Sequence, residues 1–193
     1  MKFFTALISF IFLTSFASTA LATKEITKEQ IENIIKESHN AANNRNQPEL
    51  IKFIDKYFSE NVVILNDIET YNGAGNYPTK KRDAYDKTGY KASTAALYKR
   101  NIEFLVRDIG LADIEISKDK KNAVAVIDDT SSIIFIDSVT EQSITRTSLN
   151  GNVSCKSTFS IVENKDYPQI VSSYCNGKIR QNREVEHIKK PEK

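Results

Sequence analysis

The chain has 193 residues, a formal charge of +2 and 40% hydrophobic residues, enough apolar material for the core of one ordinary domain. That near-neutral balance gives no reason to expect nucleic acid or an acidic surface as a partner. Only two histidines, His39 and His187, are present, which excludes a histidine-rich metal centre; there is also no glycine-rich phosphate loop and no Gly-x-Ser-x-Gly elbow, so neither metal nor cofactor is expected.

Residues 1–22 read as a cleavable export signal. Lys2 is a short positive start, residues 3–16 are largely apolar, and Ala20-Leu21-Ala22 is a small-x-small cleavage site before the polar Thr23-Lys24-Glu25. The apolar stretch is shorter than the ~20 residues a spanning helix needs. The expected product is therefore an exported protein, periplasmic or secreted and of bacterial type, attached to a membrane only while the signal is uncleaved. Removing the signal takes away one lysine and no acid, leaving a formal charge of +1 instead of +2.

The remaining chain opens with helices. Thr27-Lys28-Glu29-Gln30 fits a capping box, and Ile31, Ile34, Ile35, Ser38, Ala41 and Ala42 follow at helical spacing before Asn43-Asn44-Arg45-Asn46 interrupts. Pro48 suits a first turn, and Leu50, Phe53, Ile54, Tyr57 and Phe58 form the cleanest amphipathic stripe in the chain. Val62-Val63-Ile64-Leu65 reads as a short buried strand. Residues 72–91 lose all periodicity and read as a tyrosine-rich loop, and the spacing of Tyr98, Ile102, Leu105 and Ile109 predicts a third helix over 93–107.

Everything further on reads as strand. Ala112, Ile114 and Ile116 alternate, Val124 and Val126 open another strand, 133–136 is a third apolar run, and Asn150-Gly151 after 143–149 is a two-residue hairpin signal. Cys155 and Cys175 lie in β-type runs around a turn at 164–168. If that turn centres on Lys165, the two face each other ten residues to either side, a spacing that predicts a disulfide in an oxidising compartment. Residues 180–193 are charged and aperiodic and read as a flexible tail.

Two helices, a short strand, a third helix and a run of strands resemble the nuclear transport factor 2-like superfamily, the SnoaL and ketosteroid isomerase-like cone. Locally, Tyr57-Phe58-Ser59-Glu60-Asn61-Val62 looks like the end of its second helix, and Phe159-Ser160-Ile161-Val162 with Ile170-Val171-Ser172-Ser173 looks like its terminal hairpin. The resemblance implies an α+β domain over 23–179, with three N-terminal helices packed on a strongly curved antiparallel β-sheet, a cone-shaped α+β barrel. It also makes a homodimer an expectation.

The superfamily's isomerase uses a carboxylate base and a phenol donor. Matching its helix-two phenylalanine to Phe58 places Asn66 and Ser38 at those positions, and an amide and a small hydroxyl cannot shuttle a proton between carbons. A shift of one residue offers His39 and Asp67 as catalytic candidates, at the cost of turning the strand by one side chain. Asp128-Asp129 reads as an edge or bulge feature, because adjacent strand residues point to opposite faces. Tyr57, Tyr77, Tyr85 and Tyr98 are candidate ligand-binding residues, since tyrosine combines a large apolar face with a polar tip. The leading expectation is an exported non-catalytic domain holding a small apolar molecule or an envelope protein through the cone cavity or the 72–91 loop. Two alternatives stand beside it: a small cofactor-independent isomerase or dehydratase, and a secretion-system component or immunity protein.

Overall fold

The computed structural model describes residues 25–44, 47–73 and 77–188. The expected export signal, 1–22, lies outside the described residues, as do 189–193 of the expected tail. Among the described residues the elements run α1 (Lys28–Asn43), α2 (Gln47–Tyr57), β1 (Phe58–Asn72), β2 (Thr79–Tyr85), α3 (Lys87–Tyr98), β3 (Ile102–Ile116), β4 (Asn122–Val139), β5 (Ser143–Ser160) and β6 (Gln169–His187). The strands form one curved, unclosed sheet in the order β2-β1-β6-β5-β4-β3, with the helices packed against it. This is the α+β arrangement expected, with one difference. β1 runs parallel to β6, so the sheet is mixed, because the last strand of the meander closes against the first.

The first two helices form where the sequence puts them. The Gln30 amide donates to Thr27 Oγ1 at 3.2 Å while the Thr27 amide donates to Gln30 Oε1 at 2.8 Å, completing the capping box. α1 buries Ile31, Ile34, Ile35 and Ala42, and α2 buries Leu50, Phe53, Ile54 and Tyr57. These faces close over Ile64, Ala123, Ala125 and Phe159 to make the main core. A smaller cluster of Leu105, Ile133 and Phe135 lies further along the sheet.

Later elements depart from the local reading. Residues 102–107 belong to β3, and the third helix starts six residues earlier than the spacing predicts. Asp86 is its N-cap, accepting from the Gly89 amide at 2.7 Å. The buried Lys87 ammonium then donates to the Phe58 carbonyl (2.8 Å), the Asp55 carbonyl (3.1 Å) and Glu60 Oε1 (2.7 Å), using its three protons to pin α3 to the α2–β1 junction. The 72–91 stretch is not structureless: β2 pairs with Ile64 to Thr70 of β1, and the pairing is braced by Arg82–Asp67 at 2.6 Å and Lys80–Glu69 at 2.9 Å.

The strands are also longer than their apolar runs. β4 joins the 124–126 and 133–136 segments through Asp128 to Ser132, whose side chains face a cavity or solvent while the backbone ladder continues. Asn150-Gly151 makes no hairpin; the chain turns at Thr140, whose amide donates to the Ser143 carbonyl at 2.8 Å, and β5 runs straight through Gly151. The charged tail is strand as far as His187, paired with Ser143 to Asn150 and tied by Arg146 to Glu186.

Gly151 and Gly177 are needed for space, since neither has a positive φ. A Cβ on Gly151 would lie 2.7 Å from the Lys178 carbonyl oxygen, and one on Gly177 would lie 2.4 Å from the Asn152 carbonyl oxygen. The backbones of β5 and β6 therefore close in on these two positions, where the sheet bends. Two residues beyond the Val153–Gly177 pair, Cys155 faces Cys175 directly, with Cα atoms 4.0 Å apart, and the predicted disulfide forms.

Two outcomes test this account by urea denaturation. Gly177→Val should cost about 2 kcal/mol or more through overpacking, whereas Gly110→Ala, with nothing within 4 Å of the new Cβ, should stay within about 1 kcal/mol of the unaltered protein. Replacing Cys155 and Cys175 together by alanine should cost about 3 kcal/mol, the value of closing a loop of this size.

Candidate functional site

The curved sheet and the three helices bound a half-open cavity of about 600 Å³ between the two core clusters. Alternation along each strand decides what reaches it. From β1, Asn66 and Ile68 line the cavity while Asp67 and Glu69 line a groove on the outer face. From β4, Asp128 lines only the outer groove, whereas Asp129 borders both it and the cavity. Val153, Cys155, Cys175 and Ile179 supply the floor, so the disulfide is part of the cavity wall. Phe53, Ile54 and Phe58 form an apolar side, and Tyr90, Thr94 and Leu97 of α3 form a lid at i, i+4 and i+7.

One charged pair sits inside. Arg107 of β3 and Asp129 of β4 are diagonal neighbours on the inner face, joined through the guanidinium Nη2 and Nε and both carboxylate oxygens, and both are mostly buried. Burial opposes the Arg107 charge, but the hydrogen bond and attraction of Asp129 outweigh it and hold the guanidinium more firmly protonated than usual. Burial likewise pushes the phenols of Tyr90 and Tyr98 up, so both are neutral at ordinary pH. Tyr98 donates to the Ala42 carbonyl at 2.6 Å, and Tyr90 stacks on Phe58 with ring centroids 5.5 Å apart.

Arg107 is positioned from α1. Asn43 donates to the Arg107 carbonyl at 2.6 Å and accepts from its amide at 2.8 Å, and one turn earlier His39 Nδ1 accepts from the Ile109 amide at 3.2 Å. α1 thus satisfies the free edge of β3 at two successive outward positions. His39 is a backbone acceptor here, while Asp67 is on the outer face in its ion pair with Arg82. The two catalytic candidates do not converge.

The tyrosine candidates also scatter. Tyr57 donates to Glu37 at 2.7 Å and packs on Tyr167 and Phe53, away from the cavity. Tyr77 is 93% exposed. Tyr85 is partly buried near Tyr90, and Tyr98 touches the site through its neighbours Ala42 and Arg107. Sequence reasoning missed Arg107 and Tyr90 as site residues and read Asp129 as an edge or bulge feature. Asp86, spaced as an N-cap ahead of Tyr90, Thr94 and Leu97, carried the signal that would have found the α3 stripe. Asn66 and Ser38, which the superfamily alignment placed at the isomerase's catalytic positions, both line the cavity.

No protein-family model matches the chain, and no curated protein matches it. Solved structures do. A conserved protein from Planctomyces limnophilus has a TM-score of 0.49 at 12% identity, covering 83% of this chain and 96% of its own. The beta subunit of benzoate 1,2-dioxygenase from Burkholderia mallei has 0.49 at 14%, covering 81% and 93%. An NTF2-like protein from Cytophaga hutchinsonii has 0.45 at 9%, covering 78% and 98%. The chain is similar in fold to nuclear transport factor 2-like proteins. These likenesses concern the course of the chain and say nothing of its chemistry.

The ion pair makes a sharp test. Arg107→Met leaves Asp129 facing an apolar wall without its partner and should cost roughly 3 kcal/mol in urea denaturation. The double change Arg107→Met with Asp129→Leu should recover most of that loss, because neither charge then remains to be satisfied.

Proposed function

We propose that this protein is an exported domain that holds a small, largely apolar molecule in its cone cavity without transforming it. The observation carrying this reading is the cavity itself: a half-open, mostly apolar space of about 600 Å³ within the usual range for small-molecule sites, with polar groups on its wall. Asn66 and Ser38 stand where the superfamily's isomerase would need a base and a phenol. Asp129, the only carboxylate lining the cavity among the described residues, is bonded to Arg107. Nothing in that set is a free base. Export is supported by the sequence of residues 1–22 and by the Cys155–Cys175 bond, which suits an oxidising compartment. No helix among the described residues is long and apolar enough to cross a membrane.

A protein partner on the outer sheet face is the weaker reading. Val63, Leu65 and Tyr174 are exposed there, but they are interspersed with the Arg82–Asp67 and Lys80–Glu69 pairs and form no broad apolar surface.

The test is binding of the neutral dye Nile red, followed by its fluorescence. The purified protein should bind one equivalent, and Ile68→Trp, which fills the cavity from β1, should weaken binding about tenfold or more while leaving the fold intact by circular dichroism. Nile red binding that is absent, or indifferent to Ile68→Trp, would count against the cavity as the site.

A further inference from the structure

We infer that the cavity selects an uncharged ligand bearing a carbonyl or hydroxyl group, received by Asn66 and Tyr90, and rejects carboxylates and amines of the same skeleton. The inference rests on the cavity being the binding site and names the ligand chemistry that its wall accepts.

The argument is one of which polar groups are already committed. The charged side chains lining the cavity among the described residues are Arg100, Arg107 and Asp129. Arg107 is held by Asp129, and Arg100 is held by Asp137 at 2.9 Å with its guanidinium 3.7 Å from the centre of the Phe135 ring. Arg100 and Asp137 are the more exposed pair and are screened by water, so a carboxylate seated deep in this space would have to take Arg107 from Asp129. That exchange leaves a buried carboxylate unpaired and gains nothing overall. An amine would have to take Asp129 from Arg107, with the same result.

The uncommitted polar side chains are neutral. The Asn66 amide makes no hydrogen bond to any described residue, although it lies on the inner face beside Cys175. Tyr90 is fixed by its ring, stacked on Phe58, while its hydroxyl has no described partner. An amide and a phenol offer donors to a carbonyl and both a donor and an acceptor to a hydroxyl. They offer no counter-charge to an ion, and an ion stripped of water without one is strongly disfavoured.

Isothermal titration calorimetry at neutral pH with acetylnaphthalene, naphthoate and naphthylmethylamine separates the cases, since the three share one skeleton. Acetylnaphthalene should bind about tenfold or more tighter than either ion. Asn66→Leu should weaken acetylnaphthalene by about tenfold and leave the ions unchanged. Asp129→Asn, which frees Arg107, should reverse the order in favour of naphthoate. Naphthoate or the amine binding the unaltered protein as tightly as the ketone would overturn the inference and leave the cavity reading standing. Failure of all three to bind would remove the cavity reading and the inference with it. Should Asp129→Asn fail to fold, the Asn66→Leu result decides by itself.

Discussion

The sheet has to bend, and most of the molecule follows from that. The 18 residues of β4 would run roughly 60 Å if straight, whereas the 16-residue α1 is roughly 24 Å long. A flat sheet of such strands could bury only a fraction of its length against three short helices. The ladder instead curls around them, with β5 and β6 converging at Gly151 and Gly177, where no side chain fits between the backbones. Register shifts in β1, β3, β4 and β5 against their partners add local twist at other points. Curling creates an inside, and the inside is more than the helices can fill.

How the surplus space is lined decides what the protein can do. Leu105, Ile133 and Phe135 pack at one end of the inner face and Ala123, Ala125 and Phe159 at the other, with Arg107 and Asp129 between them. A buried ion pair is weak evidence for stability, because desolvation offsets much of its attraction. Its effect here is on chemistry: among the described residues, it removes from use the one cavity-lining carboxylate and the inner arginine that a charged ligand or a proton transfer would need. α1 holds the arrangement in place by bonding the exposed edge of β3 through His39 and Asn43, so a histidine that looks catalytic in isolation serves the backbone.

The alternation of strand side chains separates two chemistries that are adjacent in sequence. Asn66 and Asp129 look inward, and their neighbours Asp67 and Asp128 look outward. The outer face is consequently rich in paired charge and the inner one nearly free of uncommitted charge. A one-residue change of register would exchange them, which is why the His39 and Asp67 reading was so sensitive to alignment.

Local sequence was sufficient wherever the determining forces were local. A capping box and an apolar stripe define α1 and α2 without reference to anything distant. A symmetric turn about Lys165 places Cys155 opposite Cys175, since antiparallel pairing outward from a turn is a matter of counting. The resemblance carried by element order extended this to the α+β cone. Local sequence failed where a residue's role came from across the fold. Asn150-Gly151 has the composition of a turn, but its glycine answers to the Lys178 carbonyl on another strand. Asp128 to Ser132 lack apolar character because Asp129 faces the cavity and the rest face outer grooves or solvent, and residues 180–187 lack it because both their faces are polar, so neither reads as strand although the hydrogen-bond ladder runs through both. The Arg107–Asp129 pair joins positions 22 residues apart on neighbouring strands, and only the β3–β4 register brings them together. The sequence by itself determined the first two helices, the disulfide and the class of fold; the third helix, the cavity and everything that lines it were decided by how a bent sheet aligns its strands.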